Sequence, residues 1–159
     1  MVAELSTPRL VEDHRNVILL GPPGVGKTHL AIALGVVATG AGYRSYFTSA
    51  SDLAQLKLRT YTQPSLLGID ELGYLPLDQA SANWIFQMVS RRYDQGSVIL
   101  TSNRGFSDWG QVFADQVVAG AIVDRLLHDA TVLDIRGHSY RMRAHHEPTT
   151  RKGGHAVVR

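Results

Sequence analysis

The stretch Asn16-Val-Ile-Leu-Leu20-Gly21-Pro22-Pro23-Gly24-Val25-Gly26-Lys27-Thr28-His-Leu-Ala31 decides the fold. Its first five residues are an apolar run cut off by Gly-Pro-Pro-Gly, the pattern of a buried strand entering a turn. From residue 27 to 39 the apolar positions Leu30, Ala31, Leu34 and Val37 recur at helical spacing, and Gly40-Ala41-Gly42 supplies the stop. Between strand and helix, Gly21 to Thr28 fits G-x-x-x-x-G-K-[ST] in the context that motif requires. Glycines let the backbone wrap phosphates, so that successive N–H groups and the helix N-terminus meet negative charge. Lys27 then reaches the β and γ phosphates, and the Thr28 hydroxyl is placed for Mg²⁺. At ordinary glycine usage a chance match to the four fixed positions arises in roughly one such chain in a few hundred. The segment Gly21, Pro22, Pro23, Gly24, Val25, Gly26, Lys27, Thr28 is therefore read as a phosphate-binding loop.

Working outward, residues 43 to 48 read as a second strand, Ser51-Asp52 as a cap, and residues 53 to 60 as a short helix. Ser65-Leu-Leu-Gly-Ile69 is a third strand that stops at Asp70-Glu71. A helix from about Asp78 to Asp94 carries Trp84, Ile85, Met88 and Val89 on one side, with Gly96 at its C-terminal end. Residues 97 to 101 form a fourth strand. The stripe Ala119, Ile122, Val123, Leu126, Leu127 marks another helix, and residues 131 to 135 a last strand. Alternating strands and helices, with strands apolar on both faces, predict an α/β fold with a parallel sheet of about five strands between helices.

The acid pair Asp70-Glu71 ends an apolar strand, where ligands sit in open α/β sheets. Asp70 is suited to hold Mg²⁺ directly or through water, and Glu71 to polarise an attacking water. A surface turn with two acids is the plain alternative, and the phosphate loop upstream weighs against it. Gly68 within that strand weakens it and leaves a packing gap. If the fourth strand lies beside the third, Asn103 points at the γ-phosphate; an ordinary turn Asn explains it equally well. Arg125 is either a surface ion pair with Asp129, four residues on, or a finger inserted into a neighbouring subunit's nucleotide site.

The chain has 159 residues, 44% hydrophobic and 19% charged, which suits one globular core and excludes a disordered chain. It contains no cysteine, so disulfides, thiol nucleophiles and Cys-ligated zinc are excluded. Apolar runs end well before the ~18 residues of a membrane span, and the first residues lack a signal-peptide pattern; a cytoplasmic protein with no membrane contact is expected. Net charge is +2, unevenly placed: residues 1 to 135 balance to −3, residues 136 to 159 to +5. That basic end carries Arg136, Arg141, Arg143, Arg151, Lys152 and Arg159. It is either a solvated tail or a polyanion contact, with Arg91 and Arg92 the next candidates for DNA. His145 and His146 lack the spacing of a closed metal site.

Taken together, these residues resemble the IstB-like branch of AAA+ ATPases, ATP-binding helpers of insertion-sequence transposases that are similar to DnaC-type helicase loaders. The resemblance rests on Gly-Pro-Pro-Gly-Val-Gly-Lys-Thr-His-Leu-Ala (21 to 31), Ala-Gly-Tyr-Arg (41 to 44), Ile-Asp-Glu-Leu-Gly-Tyr-Leu-Pro-Leu (69 to 77), Ser-Arg-Arg-Tyr (90 to 93), Leu-Thr-Ser-Asn-Arg (100 to 104) and Asp-Arg-Leu-Leu-His (124 to 128). It implies a P-loop NTPase of AAA+ type over residues 1 to 143; residues 144 to 159 show no periodic apolar pattern and are expected to form a basic mobile tail. It also implies ATP and Mg²⁺ as cofactors, with Asp70, Glu71, Asn103 and Arg125 in the roles argued above and Arg141 as a further nucleotide-sensing arginine. Implied partners are non-specific double-stranded DNA, a transposase or helicase-type enzyme, and further copies of the chain through the nucleotide site. Two departures stand out: almost nothing precedes Asn16, where the family has a helical segment, and the insert between strands two and three is shortened to residues 49 to 64.

The leading expectation is thus a Mg²⁺-dependent ATPase that assembles on DNA and activates a transposase. A helicase loader, a P-loop kinase acting on a small molecule, and a truncated ATP- and DNA-binding remnant without turnover are the alternatives. Free phosphate against a phosphorylated acceptor separates hydrolase from kinase.

Overall fold

A computed structural model describes residues 5–53 and 58–136 of the chain. Helix α1 (Arg9–Glu12) precedes strand β1 (Asn16–Leu20), helix α2 (Lys27–Gly40) and strand β2 (Ser45–Ser49). A 3₁₀ turn (Ala50–Asp52) and helix α3 (Leu58–Thr62) lead to β3 (Leu66–Leu72), α4 (Gln79–Arg92) and β4 (Ser97–Ser102). A second 3₁₀ turn (Phe106–Asp108), α5 (Trp109–Val112), α6 (Gln116–Leu127) and β5 (Ala130–Asp134) complete it.

The five strands form one parallel sheet in the order β2-β3-β4-β1-β5. Successive strand residues point to opposite faces, and the sheet builds two cores in this way. Ile18, Leu67, Ile69, Val98 and Leu100 pack with Ile85, Met88 and Val89 of α4 and Ala119, Ile122 and Leu126 of α6. Val17, Leu19, Leu66 and Ile99 face the other way, against Ala31, Leu34 and Ala38 of α2 and Leu10 and Val11 of α1. The apolar runs of the sequence are apolar throughout because both faces are covered. Among the described residues, no helix is long and apolar enough to cross a membrane.

Several local expectations are corrected. β3 does not stop at the acid pair; it runs through Leu72, with a register irregularity between Ile69 and Leu72. Asp52 lies inside the 3₁₀ turn, where it accepts a hydrogen bond from Ser49 Oγ at 2.8 Å, and residues 54–57 of the helix expected over 53 to 60 lie outside the described residues. The α4 C-terminus turns at Asp94, whose φ is 58°. Gly96 serves a different purpose, since a Cβ there would lie 2.6 Å from Arg92 Nη2. Leu127 is not part of the buried stripe of α6 and stays exposed. The gap expected at Gly68 does not exist, because the Phe47 ring lies where a Cβ of Gly68 or Gly35 would sit.

Arg92 is the largest departure. Offered by its charge as a DNA contact, it is 3% exposed. Its guanidinium donates to the carbonyls of Tyr61 (3.0 Å), Pro64 (2.7 Å), Ser65 (3.3 Å) and Ser97 (2.7 Å). Burial pushes its pKa down to about 10, still far above neutrality. It ties α4 to the starts of β3 and β4, and of the candidate pair only Arg91 faces solvent.

Candidate functional site

The loop between β1 and α2 opens at the C-terminal edge of the sheet. Gly26 caps α2 with φ 92°, a left-handed conformation that a side chain would strain. The cap makes no side-chain hydrogen bond, so the first N–H groups of a 14-residue helix are aimed outward with its positive dipole end. Lys27 is buried, and its ammonium donates to the carbonyls of Gly21 and Pro22, both at 2.8 Å. The loop is folded around its own lysine, as a frame for an anion.

Thr28, the next residue, donates its hydroxyl to both oxygens of Asp70, at 3.0 and 3.1 Å. Thr101 of β4 bonds the same carboxylate, and its Oγ1 accepts the Glu71 N–H at 2.9 Å. This links strands β3 and β4 to the phosphate loop. Thr101 is the residue that sequence reasoning missed; nothing local marks it, because its importance follows from β4 lying between β1 and β3. Among the described residues no group of three or more His, Cys, Asp or Glu could cage a metal alone. One hydroxyl beside one carboxylate suits Mg²⁺, which keeps waters and takes substrate phosphate oxygens.

Glu71 has φ 62°. The two adjacent acids border different cavities. Asp70 lines a cleft of about 320 Å³ with Thr28, Ile32, Phe47 and Thr101. Glu71 lines a smaller one of about 200 Å³ with Ser51, Tyr74, Leu75 and Asp78.

Asn103 follows β4, which pairs with both β3 and β1, so the adjacency on which its reading depended is present. Its Oδ1 is buried without a hydrogen-bond partner, an uncommon state for a buried polar atom. Arg125 is elsewhere. It lies at the end of α6, close to the N-terminal edge of the sheet: Asn16, first residue of β1, donates from Nδ2 to the Leu126 carbonyl at 3.0 Å. The five residues of β1 separate that edge from the phosphate loop by about 16 Å. The alternative Arg125–Asp129 pair does not form; Asp129 pairs with Arg15 at 3.4 Å. Arg125 instead lies over the Phe86 ring, 4.8 Å from its centroid, and donates to the Ala121 carbonyl at 3.2 Å. Arg141, the histidine pair and the basic end beyond Arg136 lie outside the described residues.

A five-stranded parallel sheet in this order, with a phosphate loop after β1 and an acid pair on β3, defines a P-loop domain of the AAA+ type. Solved structures agree: DnaI superposes with a TM-score of 0.71 at 18% identity over 86% of this chain and 81% of its own. A DnaC helicase loader gives 0.66 at 23% identity over 84% and 88%, and a DnaA bound to AMPPCP and single-stranded DNA 0.68 at 24% over 85% and 45%. These likenesses concern the fold. The family model "IstB-like ATP binding protein" matches residues 1–148, and the chain belongs to that family. It is 48% identical to the ATP-binding protein assigned to insertion sequence IS21 of Pseudomonas aeruginosa, over 90% of this chain and 58% of the relative. It is 44% identical to that of IS5376 from Geobacillus stearothermophilus, over 89% and 61%. The chain thus spans about three fifths of the length of the curated relatives it matches.

Proposed function

We propose that the chain binds ATP with Mg²⁺ at the β1–α2 loop, hydrolyses it at an interface between copies, and serves as an ATP-dependent helper of DNA transposition. The observation that carries this reading is the cluster in which Thr28 and Thr101 converge on Asp70 beside a loop folded around Lys27. On this reading the loop amides and Lys27 bind the phosphates, and Thr28 with Asp70 would hold Mg²⁺, which neutralises phosphate charge when bound. Asn103 orients the attacking water by accepting its O–H at the free Oδ1, and Glu71 accepts the water's other proton.

Arg125 is assigned to the neighbouring copy's nucleotide, because its own loop is a full strand length away. Its release from Asp129 and its place over an aromatic ring support that reading. The helper role rests on family membership and on the relatives' names, which tie them to insertion sequences; the transposase partner and the cytoplasmic setting carry over from the sequence. Residues 1 to 143 are proposed as the ATPase core and 144 to 159 as a basic tail contacting DNA, with Arg141 on the nucleotide.

The decisive experiment mixes an Arg125→Ala protein with a Lys27→Ala protein. Partial recovery of ATPase activity is expected, because one type of mixed interface keeps both groups. No recovery at any ratio overturns catalysis across the interface. For the tail, cutting after Arg143 should reduce the dependence of DNA affinity on salt, since each phosphate contact contributes a slope of about −0.9. ATP binding should not change.

A further inference from the structure

The turn that carries Asn103 is held at the residues on either side of it. Ser102, the last residue of β4, is fully buried, and its Oγ donates to the Leu72 carbonyl at 2.7 Å, which joins the ends of β3 and β4. The same oxygen accepts the Arg104 N–H at 3.1 Å. The Arg104 carbonyl in turn accepts the indole N–H of Trp109, also at 3.1 Å. Both backbone groups of the residue after Asn103 are therefore fixed by side chains.

Trp109 is itself rigidly placed. It has no exposed surface, and its ring stands between those of Phe106 and Phe113, with centroids 5.0 and 6.0 Å away and planes inclined at 69° to both. Packing of that kind fixes the direction of the indole N–H. Trp109 opens α5, and Val112 at the other end of that helix accepts the Leu77 N–H at 2.9 Å. One short helix thus grips both the turn after β4 and the connection that leaves β3 just past Glu71. Gly73 lets the two come together: its φ is 92°, and a Cβ there would lie 3.3 Å from Asn103 Oδ1 and 2.7 Å from Arg104 Cγ.

A buried acceptor without a donor is costly, and a turn free to refold would find it one. The Asn103 Oδ1 stays unpaired because the bonds that fix its turn fall on its neighbours. We infer that Trp109 and Ser102 are positioning residues that hold the Asn103 amide free and aimed for catalysis, Trp109 acting through the Arg104 carbonyl. This rests on the reading that Asn103 orients the attacking water; it adds what keeps that amide in place.

Trp109→Phe keeps an aromatic ring beside Phe106 and Phe113 and deletes the N–H, and Ser102→Ala deletes the hydroxyl with little change in volume. Each is made in the full chain, alone and combined with Asn103→Ala, and kcat for ATP hydrolysis, ATP affinity and the urea midpoint are measured. Alone, each variant should lower kcat by about 10–100-fold, as small misplacements of a reacting group do, with ATP affinity within about twofold of wild type. In the Asn103→Ala background neither should slow turnover further, because the group they position is gone. Equal losses of kcat in both backgrounds indicate a merely structural role and overturn the inference, as does an unchanged kcat in either single variant. Should Trp109→Phe fail to fold, Ser102→Ala decides alone. Asn103→Ala by itself should slow turnover at least as much as the other two. If it hydrolyses ATP as fast as wild type, the reading of Asn103 fails and takes this inference with it; if it is slow while Trp109→Phe and Ser102→Ala are not, only the positioning is wrong.

Discussion

Two buried cations divide the molecule. Lys27, at the C-terminal edge of the sheet, and Arg92, at the N-terminal edge, both donate to backbone carbonyls. Lys27 bonds the two carbonyls that open its own loop, within six residues of chain. The acceptors of Arg92 come from the end of α3, the entry to β3 and the start of β4, up to 31 residues away. Ammonium is a compact charge that can exchange one acceptor for another, whereas guanidinium is a fixed fork suited to several acceptors at once. The difference separates a cation available to a ligand from one committed to the fold.

The largest effect that would break this contrast is at Arg92. Arg92→Met should cost at least about 3 kcal/mol, since four carbonyls lose a charged donor in a buried site; urea unfolding measures it, and an unchanged midpoint would place Arg92 with the replaceable cations. Glu71→Gln should keep ATP affinity and slow hydrolysis by about 10²–10⁴-fold, the range for a general base, in single-turnover assays. Lys27→Ala should weaken ATP binding by about 10–100-fold, as loss of a charged hydrogen bond predicts, with the urea midpoint nearly unchanged; titration calorimetry checks the first and denaturation the second. Gly68→Ala should destabilise by about 1–3 kcal/mol, because its methyl meets the Phe47 ring. Smallest is Asp115→Ala, which removes the side chain that caps α6 by accepting the Val117 and Val118 N–H groups at 2.8 and 3.0 Å. About 1 kcal/mol is expected.

Chain order and periodicity were sufficient for the alternation of strands and helices, the phosphate loop and the acid pair. Each is a local signal: an apolar run, a glycine pattern, a pair of carboxylates closing a strand. Boundaries were less legible. Nothing local says that β3 continues past Asp70, since Glu71 is polar and left-handed and the pairing that extends the strand comes from β4.

What the sequence determined by itself was therefore the class of fold, and it offered the glycine-rich loop proposed to hold phosphate, because both are written in neighbouring residues. Tertiary structure decided which residues meet. The insertion of β4 between β1 and β3 brings Thr101 to the acid pair and Asn103 beside Gly73. The packing of α4 buries Arg92, whose charge marks it for the surface, and the antiparallel run of α6 sends Arg125 to the far edge. Strand order and helix docking are settled by contacts between segments distant in sequence, and such contacts leave no periodic trace in the segments themselves.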